Sequence, residues 1–203
     1  VTARPGTPGP APTPSTPAPH PAAGPPPGAA PAPAVSRLSA DGFAAAVPGL
    51  ADLLADAVAG GASLGFLAPL DREAAAHWWH AQLPSVADGS RTVWVSHGPA
   101  GVSGTVSLTL EQKANGRHRG EIVKLMVHRD ARGRGLARAL LAVAEEAAVQ
   151  AGATLLLLDT ETGSTADHLY RAAGWTRYGI VPEYAADPDG ALQDCSFYYK
   201  RLG

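Results

Sequence analysis

Four arginines and two glycines fall within the ten residues from Arg129 to Arg138, RDARGRGLAR. Before them, Ile122, Leu125 and Val127 give the apolar, largely β-branched texture of a strand. After them, Leu136, Leu140, Val143, Ala144 and Ala147 recur on one helical face, with Arg138, Glu145 and Glu146 off it. Glu121 to Leu141 therefore reads as strand, tight basic turn and helix start. The first turn of such a helix holds N–H groups with no internal partner and the positive end of the helix dipole. Gly133 and Gly135 lack a Cβ, so an anion can approach the backbone closely, and Arg132, Arg134 and Arg138 add formal positive charge. The expected ligand is a pyrophosphate, held by Arg132, Gly133, Arg134, Gly135, Leu136, Ala137 and Arg138.

Other reactive side chains carry less. His77 and His80 stand at i and i+3, but no third metal ligand stands at motif spacing, so no metal is expected. The lone Cys195 excludes an internal disulfide and suits a reducing cytoplasm. It lies in an apparent strand, CSFYYKRL, with no activating histidine near it, which argues against a nucleophile. A formal charge of −2 over 203 residues does not fit a general nucleic-acid or anionic-membrane binder; the basic residues are local to one turn. No apolar stretch is expected to reach the length of a membrane span.

The elements that must position the turn follow from patterning. Residues 1–35 contain 13 of the 19 prolines and no aromatic, leucine or isoleucine, so they are expected to form a disordered, polyproline-like tail outside a single domain at 36–203. Val35 to Leu38 suits a short strand, and Ser39 caps a helix that Pro48 should kink or restart and Gly60-Gly61 should end. Phe66 and Leu67 sit in a loop that could line a substrate entrance, and Asp71 to Gln82 reads as a second helix carrying Trp78. Alternation over 91–97 and 101–112 around Gly-Pro-Ala-Gly predicts an antiparallel hairpin, followed by the central strand at 121–128. Four consecutive leucines in ATLLLLDTE, 153–161, predict a strand covered on both faces and parallel to its neighbour, hence a βαβ unit. Ser164 with Asp167 should cap a short helix, and 175–182 and 195–202 should be the last two strands. An exposed terminal strand would allow a homodimer.

The order Arg132-Gly-Arg-Gly135-Leu-Ala137 matches the R/Q-x-x-G-x-G/A signature, and HLYRAAGW at 168–175 resembles the x-L-Y-x-x-x-G-F/W signature, of the Gcn5-related N-acetyltransferase (GNAT) family. The resemblance covers roughly 36–202. GGASLGF at 60–66, KLMVHRDARGRGLARALL at 124–141, LDTETGS at 158–164 and VPEYAADPDG at 181–190 look like its tabtoxin-resistance group. It implies an α/β (α+β) fold, a mixed sheet of about six to seven strands flanked by about four helices. It further implies acetyl coenzyme A as co-substrate and direct acetyl transfer to a primary amine, plausibly of an amino-acid-like antibiotic resembling tabtoxinine-β-lactam. In that family the backbone of Leu125, Met126 and Val127 would bind pantetheine and the thioester oxygen, and Tyr170 would be the general acid. Glu121 is the chosen general base and Asp159 its competitor, though either serves equally as an electrostatic anchor or a structural group. Lys124, Trp78 and Tyr184 are the expected acceptor contacts. Gly163 replaces an asparagine that many members carry seven residues before the tyrosine. A protein or peptide acetyltransferase and a non-catalytic acyl-coenzyme A sensor are the alternatives. A dinucleotide-binding reading fails because the G-x-G-x-x-G order and the ribose-binding acid are missing.

Overall fold

The computed structural model describes residues 34–203, so the expected tail lies outside the described residues except for its last two positions. A seven-stranded mixed sheet has the order β1-β2-β3-β4-β5-β7-β6, with β1 at Val35–Arg37, β2 at Arg91–Gly98, β3 at Gly101–Leu110, β4 at Arg119–Val127, β5 at Leu155–Glu161, β6 at Thr176–Ala186 and β7 at Leu192–Arg201. The helices are α1 at Ala40–Ala59, α2 at Arg72–His80, α3 at Leu83–Ala87, α4 at Leu136–Gln150 and α5 at Thr165–Ala172. The fifth helix relative to the expected four is the short α3, which has no side-chain cap and no fully buried residue to betray it in the sequence.

Two cores flank the sheet. α4 packs Leu136, Leu140, Leu141, Ala144 and Ala148 against Leu108, Ile122, Leu156 and Leu158, and Tyr170, Trp175 and Tyr198 extend this cluster. On the opposite face α1 and α2 bury Phe43, Leu50, Leu54 and Trp79 against Val93, Val95 and Met126, and Trp79 Nε1 donates to Leu50 O at 3.0 Å. Three expectations change here. α1 runs unbroken through Pro48, because Val47, Leu50 and Ala51 on either side of it are fully buried and hold the helical path. α1 also has the length and apolar composition of a membrane span, contrary to expectation, but its apolar residues are those that fill the second core. The terminal strand β7 lies inside the sheet between β5 and β6, so the free edge belongs to β6.

α5 is fixed by a buried carboxylate. Ser164 Oγ accepts from Asp167 N at 3.1 Å, and Asp167 Oδ2 accepts from Gly163 N at 3.0 Å, a capping box shifted by one residue onto the positive-φ glycine. The Tyr198 hydroxyl and the Arg171 guanidinium donate to the same carboxylate. Burial alone would raise the Asp167 pKa, but the bonds from Tyr198, Gly163 and Arg171 outweigh it and hold the group below the ordinary aspartate range. Stability from this network is therefore present above the unfolded-state pKa and lost as pH falls through the depressed one. Asp167→Ala is expected to cost about 3–5 kcal/mol in denaturant unfolding at pH 7, and the deficit relative to wild type should shrink progressively as pH falls below the normal aspartate range toward the depressed value.

Candidate functional site

β4 and β5 are parallel, yet they pair over three positions only, Arg119 with Leu155, Gly120 with Leu156 and Glu121 with Leu157. Beyond Glu121 the strands diverge. On its other side β4 keeps its register with β3 up to Val123 opposite Ser107 and resumes at Met126 opposite Thr105, so Lys124 and Leu125 bulge against one residue. Lys124 takes φ of 53°, a left-handed conformation that costs a non-glycine residue about 1–2 kcal/mol. The edge of β4 from Ile122 to Val127 that faces β5 thus has no strand partner among the described residues. The open backbone includes Leu125, Met126 and Val127, the three positions expected to bind pantetheine.

The basic turn closes one end of this crevice. Gly135 is the N-cap of α4 at φ 78° with no side-chain hydrogen bond to the helix, and Gly133 has φ 75°. A Cβ at either position would meet nothing within 4 Å, so open space faces the free N–H groups of Leu136, Ala137 and Arg138. Arg134 and Arg138 are exposed and make no ion pair among the described residues. Arg132 turns back, its Nε donating to Val127 O at 3.2 Å. Arg129, which the sequence groups with the other three, is taken up elsewhere: its guanidinium pairs with Asp56 at the end of α1 and its Nη2 reaches Asp56 O at 3.2 Å. An uncapped helix start, two glycines open to an anion and two unpaired arginines fit the diphosphate of coenzyme A.

Where the strands part, the charged side chains gather. Glu121 reaches solvent, yet the surrounding protein desolvates it and the nearby Asp159 charge adds to the effect, so its pKa is raised, with Arg91 and Lys124 pulling the other way. The Lys124 ammonium donates to Leu64 O at 2.7 Å and lies 4.9 Å from the ring centre of Trp78 and 5.5 Å from that of Phe66. Burial first, then the Arg91 charge, lowers its pKa. Lys124 thereby pins the 61–70 loop and α2 to the bulge, and Phe66 and Trp78 meet edge to face at 5.8 Å. Cys195 Sγ lies 3.5 Å from Asp159 Oδ2 and 3.3 Å from Thr160 O; burial and the Asp159 charge push its thiol up to about 12, so it stays protonated.

Tyr170 is 6% exposed, packed 5.9 Å from Trp175 and 6.2 Å from Tyr198. Burial, then the Asp159 charge, raises its pKa above the ordinary phenol value. Glu121, Lys124 and Asp159 lie near enough to shift one another's charge, Asp159 also acts on Tyr170, and Trp78 packs on Lys124. Tyr184 is 53% exposed on β6 and stacks edge to face on Phe197, the cross-strand partner of Asp159, at 5.1 Å. Arg91 was missed by the motif reading. Its signal is a cation in strand register with Val93 and Val95, both fully buried, and its side chain is half-buried beside Glu121. A cavity of about 600 Å³ lies elsewhere, between His118, Thr154, Leu157, Tyr178, Tyr199 and Arg201 toward the amino ends of β4 and β5. No group of three or more His, Cys, Asp or Glu suited to a metal occurs among the described residues.

Comparison with known proteins agrees with this geometry. The model of the acetyltransferase (GNAT) family matches residues 60–175, and the chain belongs to that family. It is an acetyl coenzyme A-dependent N-acetyltransferase. A ribosomal-protein-alanine N-acetyltransferase from Brucella melitensis is 25% identical with TM-score 0.66, covering 83% of this chain and 99% of that one. A GNAT phosphinothricin acetyltransferase from Sinorhizobium meliloti, solved with acetyl coenzyme A, is 17% identical with TM-score 0.71, covering 84% and 89%. An N-acetyltransferase from Staphylococcus aureus is 16% identical with TM-score 0.67, covering 84% and 98%. Gly135→Ala is expected to weaken coenzyme A binding about tenfold in calorimetry, because the residue must hold positive φ at the anion contact, and to cost about 1–2 kcal/mol of stability.

Proposed function

We propose that the domain at 36–203 transfers the acetyl group of acetyl coenzyme A to the primary amine of an amino-acid-like small molecule. The observation that carries the reading is the convergence of Glu121, Asp159 and Lys124 at the mouth of the β4–β5 crevice, under the Phe66–Trp78 wall. An opening narrowed by two aromatic rings and a pinned loop suits a small acceptor better than an open groove does. The likeness to the tabtoxin-resistance group in the segments that form this wall and crevice points the same way, as does the phosphinothricin acetyltransferase among similar folds. A homodimer formed by strand pairing would use an edge strand, β6 or β1, rather than β7. The reducing cytoplasmic setting suited to a single cysteine is part of this reading.

When bound, the co-substrate supplies an activated acetyl thioester. Arg134, Arg138 and the free N–H groups of α4 hold its diphosphate, and the unpaired backbone of Leu125 to Val127 receives pantetheine and polarises the carbonyl. Glu121, or Asp159 through a water, takes a proton from the acceptor's ammonium and so frees the amine lone pair. As the new C–N bond forms and the C–S bond breaks, the Tyr170 hydroxyl gives its proton to the departing sulfur, and the proton that the nitrogen sheds on becoming an amide returns through water to the Tyr170 phenolate. Tyr170 suits this step, since burial keeps it protonated at every ordinary assay pH.

Tyr170→Phe is expected to lower kcat about 10²–10⁴-fold with acetyl coenzyme A affinity retained, read by coenzyme A release and calorimetry. An unchanged kcat would remove Tyr170 from the proton transfer. The pH profile tests the base. Because the Glu121 pKa is raised, the ionised, active form appears only above the usual carboxylate range, so kcat/KM should climb with pH there. Glu121→Gln should abolish that rise and lower kcat/KM about 10²-fold at neutral pH. Turnover on N-terminal peptides with none on small amines would instead favour the peptide reading.

A further inference from the structure

The amino end of β2 adds a specificity-determining residue. Arg91, Thr109 and Glu121 stand directly opposite one another across β2, β3 and β4, and Leu157 continues the row on β5. Directly paired residues project from the same face of a sheet, and Asp159, two residues beyond Leu157, shares that face. So do the aromatic rings and the Lys124 ammonium described above. Two cations and two carboxylates therefore share one face, and among the described residues none of the four forms an ion pair with another.

Arg91 is the unclaimed member of this set. Lys124 is engaged by Leu64 O and two ring faces, and the neighbouring Arg119 is paired with Glu111 at 2.9 Å. Arg91 Nε and Nη1 are buried without a hydrogen-bond partner, as are Thr109 Oγ1 beside them and Ser107 Oγ. Buried donors on a guanidinium are ordinarily satisfied, and an orphaned set of this kind asks for a reason. Opposite charges held near one another but apart, in a site partly removed from water, leave room for a ligand that carries both signs. The backbones of Arg91 and Glu121 lie about 10 Å apart across two strand spacings. Their side chains rise from the same face, so a ligand lying on that face can be bordered by Arg91 at one end and Glu121 at the other.

We propose that Arg91 binds an acid group, a carboxylate or phosphinate, carried on the same small acceptor whose ammonium is received by Glu121 and Asp159. The acceptor class is thereby a zwitterionic amino acid rather than a simple amine or polyamine; this rests on the acetyl-transfer reading above. Thr109 and Ser107 are placed to complete the hydrogen bonding around the bound acid group.

The test compares a panel of L-α-amino acids, including phosphinothricin and tabtoxinine-β-lactam, each against its α-carboxamide, in wild type, Arg91→Gln and Arg91→Lys. Wild type should prefer the acid over the carboxamide by about 10–100-fold in kcat/KM, the span of a charge-assisted hydrogen bond, with the difference in KM rather than kcat. Arg91→Gln should bring the ratio close to unity, and Arg91→Lys should restore part of it. Coenzyme A binding by calorimetry should be the same in all three proteins and reports that each is folded. Equal use of acid and carboxamide by wild type, or an unchanged preference in Arg91→Gln, overturns the assignment while leaving small-amine acetylation standing. If no compound is acetylated, calorimetry on the coenzyme A-loaded protein decides. Carboxylate-dependent binding that Arg91→Gln loses would sustain the role of Arg91 and sink the small-amine reaction; its absence in wild type would overturn the role of Arg91.

Discussion

The early end of the β4–β5 pairing governs the molecule. A parallel ladder satisfies backbone groups only as far as it runs, and this one stops at Glu121 and Leu157. On the edges that face each other, the N–H and C=O groups beyond that point must find water, a side chain or a ligand. One is met internally, by Arg132 on Val127 O. The others on that edge of β4 have no strand partner among the described residues and border the gap left between the two strands.

Keeping such a slot open needs opposing constraints, and each is visible. The bulge at Lys124 bends β4 away from its partner, and the left-handed backbone there is held by the side chain's contacts with Leu64, Phe66 and Trp78. On the other lip, Asp167 fixes the start of α5 through Gly163, Ser164, Arg171 and Tyr198, which in turn sets Tyr170 against Trp175. The carboxyl end of β5 is tied down by Cys195 against Asp159 and by Thr162 against Ser196 at 2.8 Å. Rigid packing on both lips keeps the charged groups apart.

Much of this was legible in the sequence. The glycine-arginine turn, the four leucines of β5 and the Ser164–Asp167 pair each follow from local chemistry, and local chemistry is what one sequence shows best. That the helix continues through Pro48 rather than restarting was out of reach, because burial on both sides of a proline is a tertiary fact. The position of β7 inside the sheet was likewise out of reach, since strand order depends on pairing between distant segments. Trp78 and Lys124 were named singly, but nothing in their spacing of 46 positions along the chain says that they meet. Arg91 left only a faint trace, a charge in register with buried valines, which no motif search weighs.

The β6 edge shows how the fold protects itself from its own chemistry of pairing. Eleven residues of edge strand, with Tyr178, Ile180 and Val181 exposed, would ordinarily template the addition of further strands. Pro182 interrupts the donors, and Glu183, at φ 51°, breaks the register between Val181 and Ala185. The edge is thereby cut into two short, mutually twisted pieces. Resistance to further strand addition at this border is thus written into the backbone, and a change that straightened residues 181–185 would restore a continuous template for pairing.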